Sequence, residues 1–254
     1  MAHTGPLSSS LASGVLTLTL SRPDKRNALD SATIEALHAA LEQAELDAGA
    51  RVVVIRGAGK DFCAGADLAE LLASAEHSPE QNERAAHRLG RVFVRLRDLP
   101  KPTVALVHGR ALAGGAGLAT ACDLVLAAQS AQLGYPEIQR GFVPAMVMTM
   151  LRRLAGEKLG FDLISTGRVL SADAALAAGL VSRVFPDESF EAEAGRLVAG
   201  LAGHSPSALA LGKRLFYQLD GMPFADGIAL GARVNALARA HPDFRAAVAE
   251  FLKQ

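Results

Sequence analysis

The chain has 254 residues, with 26 basic and 26 acidic side chains, so its formal net charge is zero. This balance, the absence of Trp and the presence of only 12 aromatic residues (10 Phe and 2 Tyr) argue against a nucleic-acid partner and against attraction to a membrane surface. Two cysteines, Cys63 and Cys122, exclude a disulfide framework and a four-thiolate metal site. We therefore expect two reduced thiols in a cytoplasmic protein.

No segment of the chain has the composition of a membrane or export signal. The first 14 residues lack a basic region followed by an apolar stretch, so no secretory signal is predicted. No run of about 18 uncharged apolar residues occurs, so no transmembrane helix is predicted either.

The first two thirds of the chain alternate between strand and helix patterns. Helix signals begin at Asp30 or Ser31 and continue to about Gly49, and residues 68–98 are helical in composition with a polar break at 74–83. Strands are predicted over Val15–Leu20, residues 52–55, Thr103–Val107 and Leu124–Ala128. This rhythm predicts a layered α/β core of repeated units.

From about Ser171 the strand pattern nearly disappears. Capping residues or prolines predict short helices that begin at Ser171, Ser205-Pro206, Pro223 and Pro242. We divide the chain into a core over residues 1–195 and a helical subdomain over residues 196–254. The subdomain is expected to pack on the core or on another subunit.

Common nucleotide, nucleophile and zinc motifs do not account for the glycine-rich segments. Residues 115–120 (GAGLAT) partly match a dinucleotide fingerprint, but about seven residues separate them from the preceding strand. The sequence contains no GxxxxGK[ST], GxSxG or HExxH motif. We therefore expect no metal and no nucleotide cofactor.

Two small-residue loops each follow a strand and precede a helix, at residues 64–67 (AGAD) and 113–117 (AGGAG). Small residues let backbone N–H groups approach a ligand, and a helix N-terminus directs such donors outward. Two converging donors would form an oxyanion hole. The same glycines could instead serve only close packing of helix on strand, and spacing alone does not decide between these interpretations.

A series of motifs resembles the enoyl-CoA hydratase/isomerase (crotonase) family. In order, the motifs are residues 27–30 (NALD), 62–68 (FCAGADL), 108–119 (HGRALAGGAGLA), 122–123 (CD), 136–138 (PEI), 166–168 (TGR) and 178–181 (AGLV). The resemblance implies a crotonase-like spiral of ββα units with C-terminal helices. It also implies acyl-CoA substrates, with coenzyme A as part of the substrate, and homotrimers or homohexamers. It implies further that the core binds acyl-CoA and performs catalysis, and that the subdomain mediates oligomerisation and closes the CoA site.

The resemblance assigns roles to individual residues. The backbone N–H groups of Ala66 and Gly114 match the oxyanion-hole positions, and Glu137 matches one of two catalytic glutamates. The other glutamate position is occupied by Gly117. Contacts with the CoA portion are expected from Arg26, Ala28, Lys60, Ala64, Asp67, Leu68 and Lys213. A solvated surface charge is the alternative for Lys60 and for Arg26.

A single glutamate leaves the reaction open between two chemistries. Glu137 could hydrate a 2-enoyl-CoA to a 3-hydroxyacyl-CoA, or it could move a proton from C2 to C4 of a 3-enoyl-CoA. We favour hydration, with isomerisation as the alternative. Further alternatives are an inactive acyl-CoA-binding member, thioester hydrolysis and decarboxylation. Asp67 and Asp123 are possible substitutes for the missing acid, and residues 141–150 are expected to pack in the core or line an acyl pocket.

Overall fold

The computed structural model describes residues 5–253, in which two sheets and ten helices form a layered α/β architecture. Residues 1–4 and 254 of the predicted domains lie outside this range. The larger sheet has six strands in the order β1-β2-β3-β4-β6-β9, and only β1 and β2 are antiparallel neighbours. Its strands are β1 (Leu7–Ala12), β2 (Val15–Leu20), β3 (Val52–Gly57), β4 (Thr103–Val107), β6 (Leu124–Ala128) and β9 (Arg183–Phe185).

The smaller sheet consists of three short strands in the order β5-β7-β8. These are β5 (Arg110–Leu112), β7 (Gln132–Gly134) and β8 (Val169–Ser171). β5 and β7 are parallel, whereas β7 and β8 are antiparallel. Single bridges between Cys63 and Ala111 and between Leu29 and Ala66 continue this sheet sideways into the loops.

Helices cover both faces of the larger sheet. They are α1 (Ser31–Leu46), α2 (Leu68–Ala73), α3 (Pro79–Asp98), α4 (Gly114–Ala121), α5 (Met148–Thr166), α6 (Ala172–Ala177), α7 (Phe190–Gly203), α8 (Pro206–Gln218), α9 (Phe224–Ala240) and α10 (Pro242–Phe251). Val53 and Ile55 face a core that includes α1, α3 and α4. Val52 and Val54, on the opposite face of the same strand, pack against α7. Successive side chains of β3 point to opposite faces of the sheet, and both faces are buried under helices.

The structure confirms the four strands predicted from the sequence and the main helix boundaries. Asp30 caps α1, since its side chain accepts a hydrogen bond from the Thr33 N–H. The predicted break is shorter than expected, because α3 begins at Pro79 with a capping box formed by Ser78 and Gln81. The sequence analysis missed β1 and the three-residue strands β5, β7, β8 and β9.

The last three helices contribute nothing to the core of the described chain. No residue of α8, α9 or α10 is buried, and Phe216, Phe224 and Phe251 are at least 70% exposed. By contrast, α7 packs on the larger sheet through Phe190 and Ala194. The boundary expected at residue 195 therefore falls inside a helix that belongs to the core, and the projecting part begins with α8.

Candidate active site

Two glycines allow the two small-residue loops to lie against each other. A Cβ on Gly65, whose φ is +98°, would lie 2.8 Å from Ala113 Cβ and 2.9 Å from the Leu112 carbonyl oxygen. A Cβ on Gly115 would meet the Cys63 carbonyl oxygen and would lie 2.8 Å from its Sγ. Such distances are far below van der Waals contact, so only glycine fits at either position. The glycines therefore allow close packing of the two loops, and the same packing brings the backbone N–H groups of the two loops together.

The strand-like pairing of Ala66 directs its N–H toward the second loop. The Leu29 N–H donates to the Gly65 carbonyl at 2.8 Å, and the Asp67 N–H donates to the Leu29 carbonyl at 3.0 Å. In a parallel bridge of this kind, the residue between the two bonded positions turns its own N–H to the other side. A Cβ on Gly114 would lie 3.9 Å from the Ala66 nitrogen, so the two candidate donors are neighbours.

Gly114 is the first residue of α4, where backbone N–H groups have no partner within the helix. Ala113, immediately before it, has φ +53° and ψ −125°, an unfavourable conformation for a residue with a side chain. A hydrogen bond of 2.8 Å from the Ala113 N–H to the Gly134 carbonyl holds this turn in place. Within residues 5–253, the N–H groups of Ala66 and Gly114 donate to no other group. Both are available to a ligand oxygen.

Glu137 presents a buried carboxylate on the short 3-10 helix Pro136–Arg140. The residue is 9% exposed, and no group in the described part of the chain hydrogen-bonds to its Oε2. Burial raises the pKa of Glu137, while its own backbone N–H and the positive charge of Arg140 act in the opposite direction. A carboxyl group whose pKa is raised toward neutrality is suited to proton transfer.

Gly117, which the resemblance places where a second catalytic glutamate is expected, does not line the cavity. A Cβ there would meet Val147 Cγ1 and would lie 3.1 Å from Phe93 Cζ. Gly117 is itself buried inside α4. The space for a second acidic side chain is therefore filled by apolar groups.

The donors and the carboxylate line one cavity of about 670 Å³. Of the residues expected at the site, the cavity contains Arg26, Ala28, Ala64, Ala66, Asp67, Leu68, Gly114 and Glu137. Its remaining lining is mostly apolar and includes Leu72, Leu89, Phe142, Met146 and Val147. Residues 141–147, from the segment expected to pack in the core or line an acyl pocket, line this cavity.

Hydrogen bonds fix the order of the segments across the cavity. The Ala64 N–H donates to the Arg26 carbonyl at 3.0 Å, and the Leu112 N–H donates to the Cys63 carbonyl at 3.0 Å. The bond from Ala113 to Gly134 then connects the second loop to the strand before Glu137. Residues 26–29 therefore lie on one side of the paired donors, and residues 134–140 lie on the other.

Positive charge occurs on both sides of the paired donors. Lys25 and Arg26 lie on the first side, and Arg140 lies beyond Glu137 on the second. Lys25 and Arg140 were not identified from the sequence, because a lone basic residue in a turn has no distinguishing pattern. None of the three forms an ion pair with another residue of the described chain.

Lys60, which was expected to contact the CoA portion, lies outside this cavity. Lys60 lines a separate cavity with His108 and Arg110, where the strands β3 and β4 end. The adjacent Asp61 is buried and bonded to Arg110 at 3.0 Å, which anchors this turn. The chain reaches the first cavity only four residues later, at Ala64.

Lys213, the other lysine expected to contact the CoA portion, also lies outside this cavity. Its Nζ lies 2.7 Å from Asp123 Oδ2 and donates to the carbonyls of Leu96 and Lys101. The side chain is only 8% exposed, so it fastens α8 to the core. Tyr217 donates to the same aspartate at 2.8 Å.

The two aspartates considered as substitutes for the missing acid both have structural partners. Asp67 caps α2 by accepting from the Ala69 N–H and pairs with Arg22 at 2.9 Å. The hydrogen bond from Arg22 holds the pKa of Asp67 below its usual value. Asp123 accepts hydrogen bonds from Thr103, Tyr217 and Lys213. Glu137 is therefore the carboxylate available for proton transfer at the cavity.

Neither a metal cluster nor a membrane-spanning helix occurs in the described part of the chain. Among residues 5–253, no group of three or more His, Cys, Asp or Glu side chains could hold a metal ion. No helix in that range is long and apolar enough to cross a bilayer.

Comparison with known proteins identifies the class to which this fold and site belong. The family model described as enoyl-CoA hydratase/isomerase matches residues 10–253. A Thermus thermophilus protein is 43% identical over 240 residues, which cover 94% of this chain and 95% of that protein. The 2,3-dehydroadipyl-CoA hydratase of Escherichia coli is 36% identical, with 94% and 92% covered.

Solved structures agree with this assignment. The crystal structure of an enoyl-CoA hydratase of Mycobacterium smegmatis superposes with a TM-score of 0.94 at 34% identity, with 98% of this chain and 96% of that chain covered. The chain belongs to the enoyl-CoA hydratase/isomerase family and has the crotonase fold, as its motifs predict.

Proposed function

We propose that this chain hydrates a 2-enoyl-CoA to a 3-hydroxyacyl-CoA, with Glu137 as its single catalytic acid and base. The thioester oxygen would accept hydrogen bonds from the N–H groups of Ala66 and Gly114. The pantetheine and phosphates would lie toward Lys25 and Arg26, and the acyl group toward Glu137. The order of the segments across the cavity supports this orientation.

Each step uses a group already present at the cavity. Glu137 takes a proton from water as the water oxygen bonds to C3 of the enoyl group. The electron pair of the double bond moves toward the thioester, whose oxygen becomes enolate-like and is stabilised by the two N–H donors. The protonated Glu137 then delivers its proton to C2, so water is added across the double bond and the carboxylate is regenerated.

The observation that carries this proposal is the unpartnered Oε2 of Glu137. A buried carboxylate oxygen without a hydrogen bond costs free energy that a structural role would not require. Glu137 lines the same cavity as Ala66 and Gly114, whose N–H groups have no partner in the described part of the chain. A catalytic role for Glu137 would explain why its carboxylate is buried without a hydrogen bond at Oε2. A purely acyl-CoA-binding protein would not need the acid.

The test is incubation of the wild type and of Glu137→Gln with crotonyl-CoA in ¹⁸O-labelled water. We expect 3-hydroxybutyryl-CoA with one heavy oxygen from the wild type and a rate at least about 100-fold lower from the variant. Glu188→Gln, which removes an exposed glutamate outside the cavity, is the matched control. Equal turnover by wild type and Glu137→Gln would contradict the proposal.

Double-bond isomerisation is the second candidate, and the blocked space above Gly117 favours it. Transfer of a proton from C2 to C4 of a 3-enoyl-CoA requires one base and no activated water, so a missing second acid costs it less. The same incubation with 3-hexenoyl-CoA separates the two reactions. Formation of 2-hexenoyl-CoA without oxygen uptake, together with no hydration of crotonyl-CoA, would establish isomerase chemistry.

We also propose that α8–α10 form contacts between subunits of a homotrimer or homohexamer. The support is the exposure of Phe216, Phe224 and Phe251 on helices without a buried residue. Light scattering after size-exclusion chromatography would give three or six times the 26.4 kDa mass of the chain. A monomer would contradict this part of the proposal.

A further inference from the structure

We propose that Arg140 selects acyl groups that carry a terminal carboxylate, so that the substrates are 2-enoyl-CoA esters of dicarboxylic acids. This inference rests on the proposed function, because it assumes that an acyl-CoA occupies the cavity. It assigns to Arg140 the recognition of a second, distal negative charge on the acyl chain.

The first argument is the position of Arg140 relative to the paired donors. Hydrogen bonds place residues 26–29 on one side of Ala66 and Gly114, and residues 134–140 on the other. A thioester whose phosphates lie at Lys25 and Arg26 therefore directs its acyl chain toward the side that holds Arg140.

The second argument is charge. Arg140 forms no ion pair with any residue of the described chain, although it lines a cavity that is otherwise mostly apolar. Arg140 is an exposed residue, so its guanidinium is accessible to the carboxylate of a bound acyl group. A guanidinium binds a carboxylate through two parallel hydrogen bonds, a geometry that a lysine cannot reproduce.

The third argument is the neighbouring acid. Arg140 ends the same 3-10 helix that carries Glu137, and their charges interact. A second carboxylate near Glu137 would disfavour the ionised base by repulsion. Arg140 would offset that repulsion while binding the distal carboxylate, so a dicarboxylic substrate and an ionised Glu137 become compatible.

The test measures binding of saturated acyl-CoA esters, which cannot be hydrated. Dissociation constants are measured by calorimetry for adipoyl-CoA against hexanoyl-CoA, and for glutaryl-CoA against pentanoyl-CoA. We expect the wild type to bind at least one carboxylate ester about tenfold or more tightly than its neutral counterpart. Arg140→Met should remove this preference, and Arg140→Lys should keep only part of it.

Arg91→Met is the matched control, since Arg91 is exposed on α3 and outside the cavity. Equal affinity of the wild type for charged and neutral esters would overturn the proposal. So would a preference that survives Arg140→Met, or an equal loss of affinity for both esters, which would place Arg140 at the CoA portion. Because no turnover is needed, failure of hydration with a retained preference would contradict only the proposed reaction.

Discussion

The side chain of Val147 fills the volume that a side chain on Gly117 would occupy. Val147 is buried, lines the cavity, and its Cγ1 lies where a Cβ on Gly117 would be built. Phe93 closes the same space from α3, 3.1 Å from that position. Apolar side chains therefore occupy the space beside Gly117, and a glutamate at residue 117 could not enter the cavity without displacing Val147.

This packing predicts a coupled effect on stability. Gly117→Ala should lower the free energy of unfolding by about 1–3 kcal/mol, because the new methyl group overpacks against Val147. Val147→Ala should cost less in the Gly117→Ala background than in the wild type, since it opens the needed space. Urea unfolding of the four chains measures this coupling.

Gly195→Ala is the control for that cycle. Gly195 lies in α7, and a Cβ there meets no atom within 4 Å. Alanine should therefore raise stability by up to about 1 kcal/mol through helix propensity. Strict additivity of Gly117→Ala and Val147→Ala would show that the two residues do not compete for one space.

The approach of the two loops predicts a catalytic effect of Gly65→Ala. A Cβ on Gly65 must push the Ala113 turn away, which separates the N–H donors of Ala66 and Gly114. We expect kcat for the proposed reaction to fall about 100-fold or more, as when an oxyanion-hole donor is removed. Steady-state kinetics measures this loss.

Gly221→Ala separates this effect from backbone strain. Gly221 also has a positive φ, +74°, but a Cβ there meets nothing within 4 Å. It should lose stability through strain and keep its kcat. A Gly65→Ala variant with the same kcat as Gly221→Ala would argue against the oxyanion hole.

The raised pKa of Glu137 predicts that this residue reduces stability at higher pH. Burial disfavours its ionised form, so the folded chain binds the proton more tightly than the unfolded chain, whose value is near 4.5. Stability should fall as pH rises through the window between 4.5 and the raised value. Glu137→Gln should therefore be more stable than the wild type above that window, and the difference should shrink below it.

Thermal unfolding of both chains from pH 4 to pH 8 measures this difference. Glu188→Gln, which removes an exposed glutamate outside the cavity, is the control for this comparison. A Glu137→Gln variant that loses stability relative to the wild type as pH rises would reverse the sign and contradict the assigned cause.

The largely buried side-chain pair of Lys213 and Asp123, whose side chains are 8% and 17% exposed, predicts that α8 is attached to the core mainly by charge. Lys213→Met would leave Asp123 without its cation, and breaking a buried pair in this way costs about 3–5 kcal/mol. We expect a lower figure, about 2–3 kcal/mol, because Thr103 and Tyr217 still donate to Asp123. Denaturant unfolding tests this, and a loss below about 0.5 kcal/mol would show that packing alone holds α8.

The sequence predicted the parts of this molecule that depend on local pattern. The strands at Val15–Leu20 and Thr103–Val107 have apolar runs long enough to recognise, and Asp30 is an evident cap. Three-residue strands such as Val169–Ser171 carry too little pattern. Their pairing depends on partners far away in the chain.

The sequence predicted those site residues whose backbone position is fixed by a family motif. It did not predict positions that depend on the direction in which a side chain points. Ala66, Gly114 and Glu137 lie together as expected. Lys60 and Lys213, expected to contact the CoA portion, lie outside this cavity, because the sequence does not fix the direction in which a basic side chain points. The obstruction of Gly117 by Val147 involves residues 30 positions apart, and only the folded chain reveals it.

The most direct test of the account is deuterium exchange at C2 of butyryl-CoA in D₂O, followed by mass spectrometry. This saturated ester is neither hydrated nor isomerised, so exchange reports only the proton transfer by Glu137 and the enolate stabilised by Ala66 and Gly114. We predict exchange by the wild type that falls at least about 100-fold in Glu137→Gln and is unchanged in Glu188→Gln. Exchange at the same rate in Glu137→Gln, or none in the wild type, would contradict the central claim.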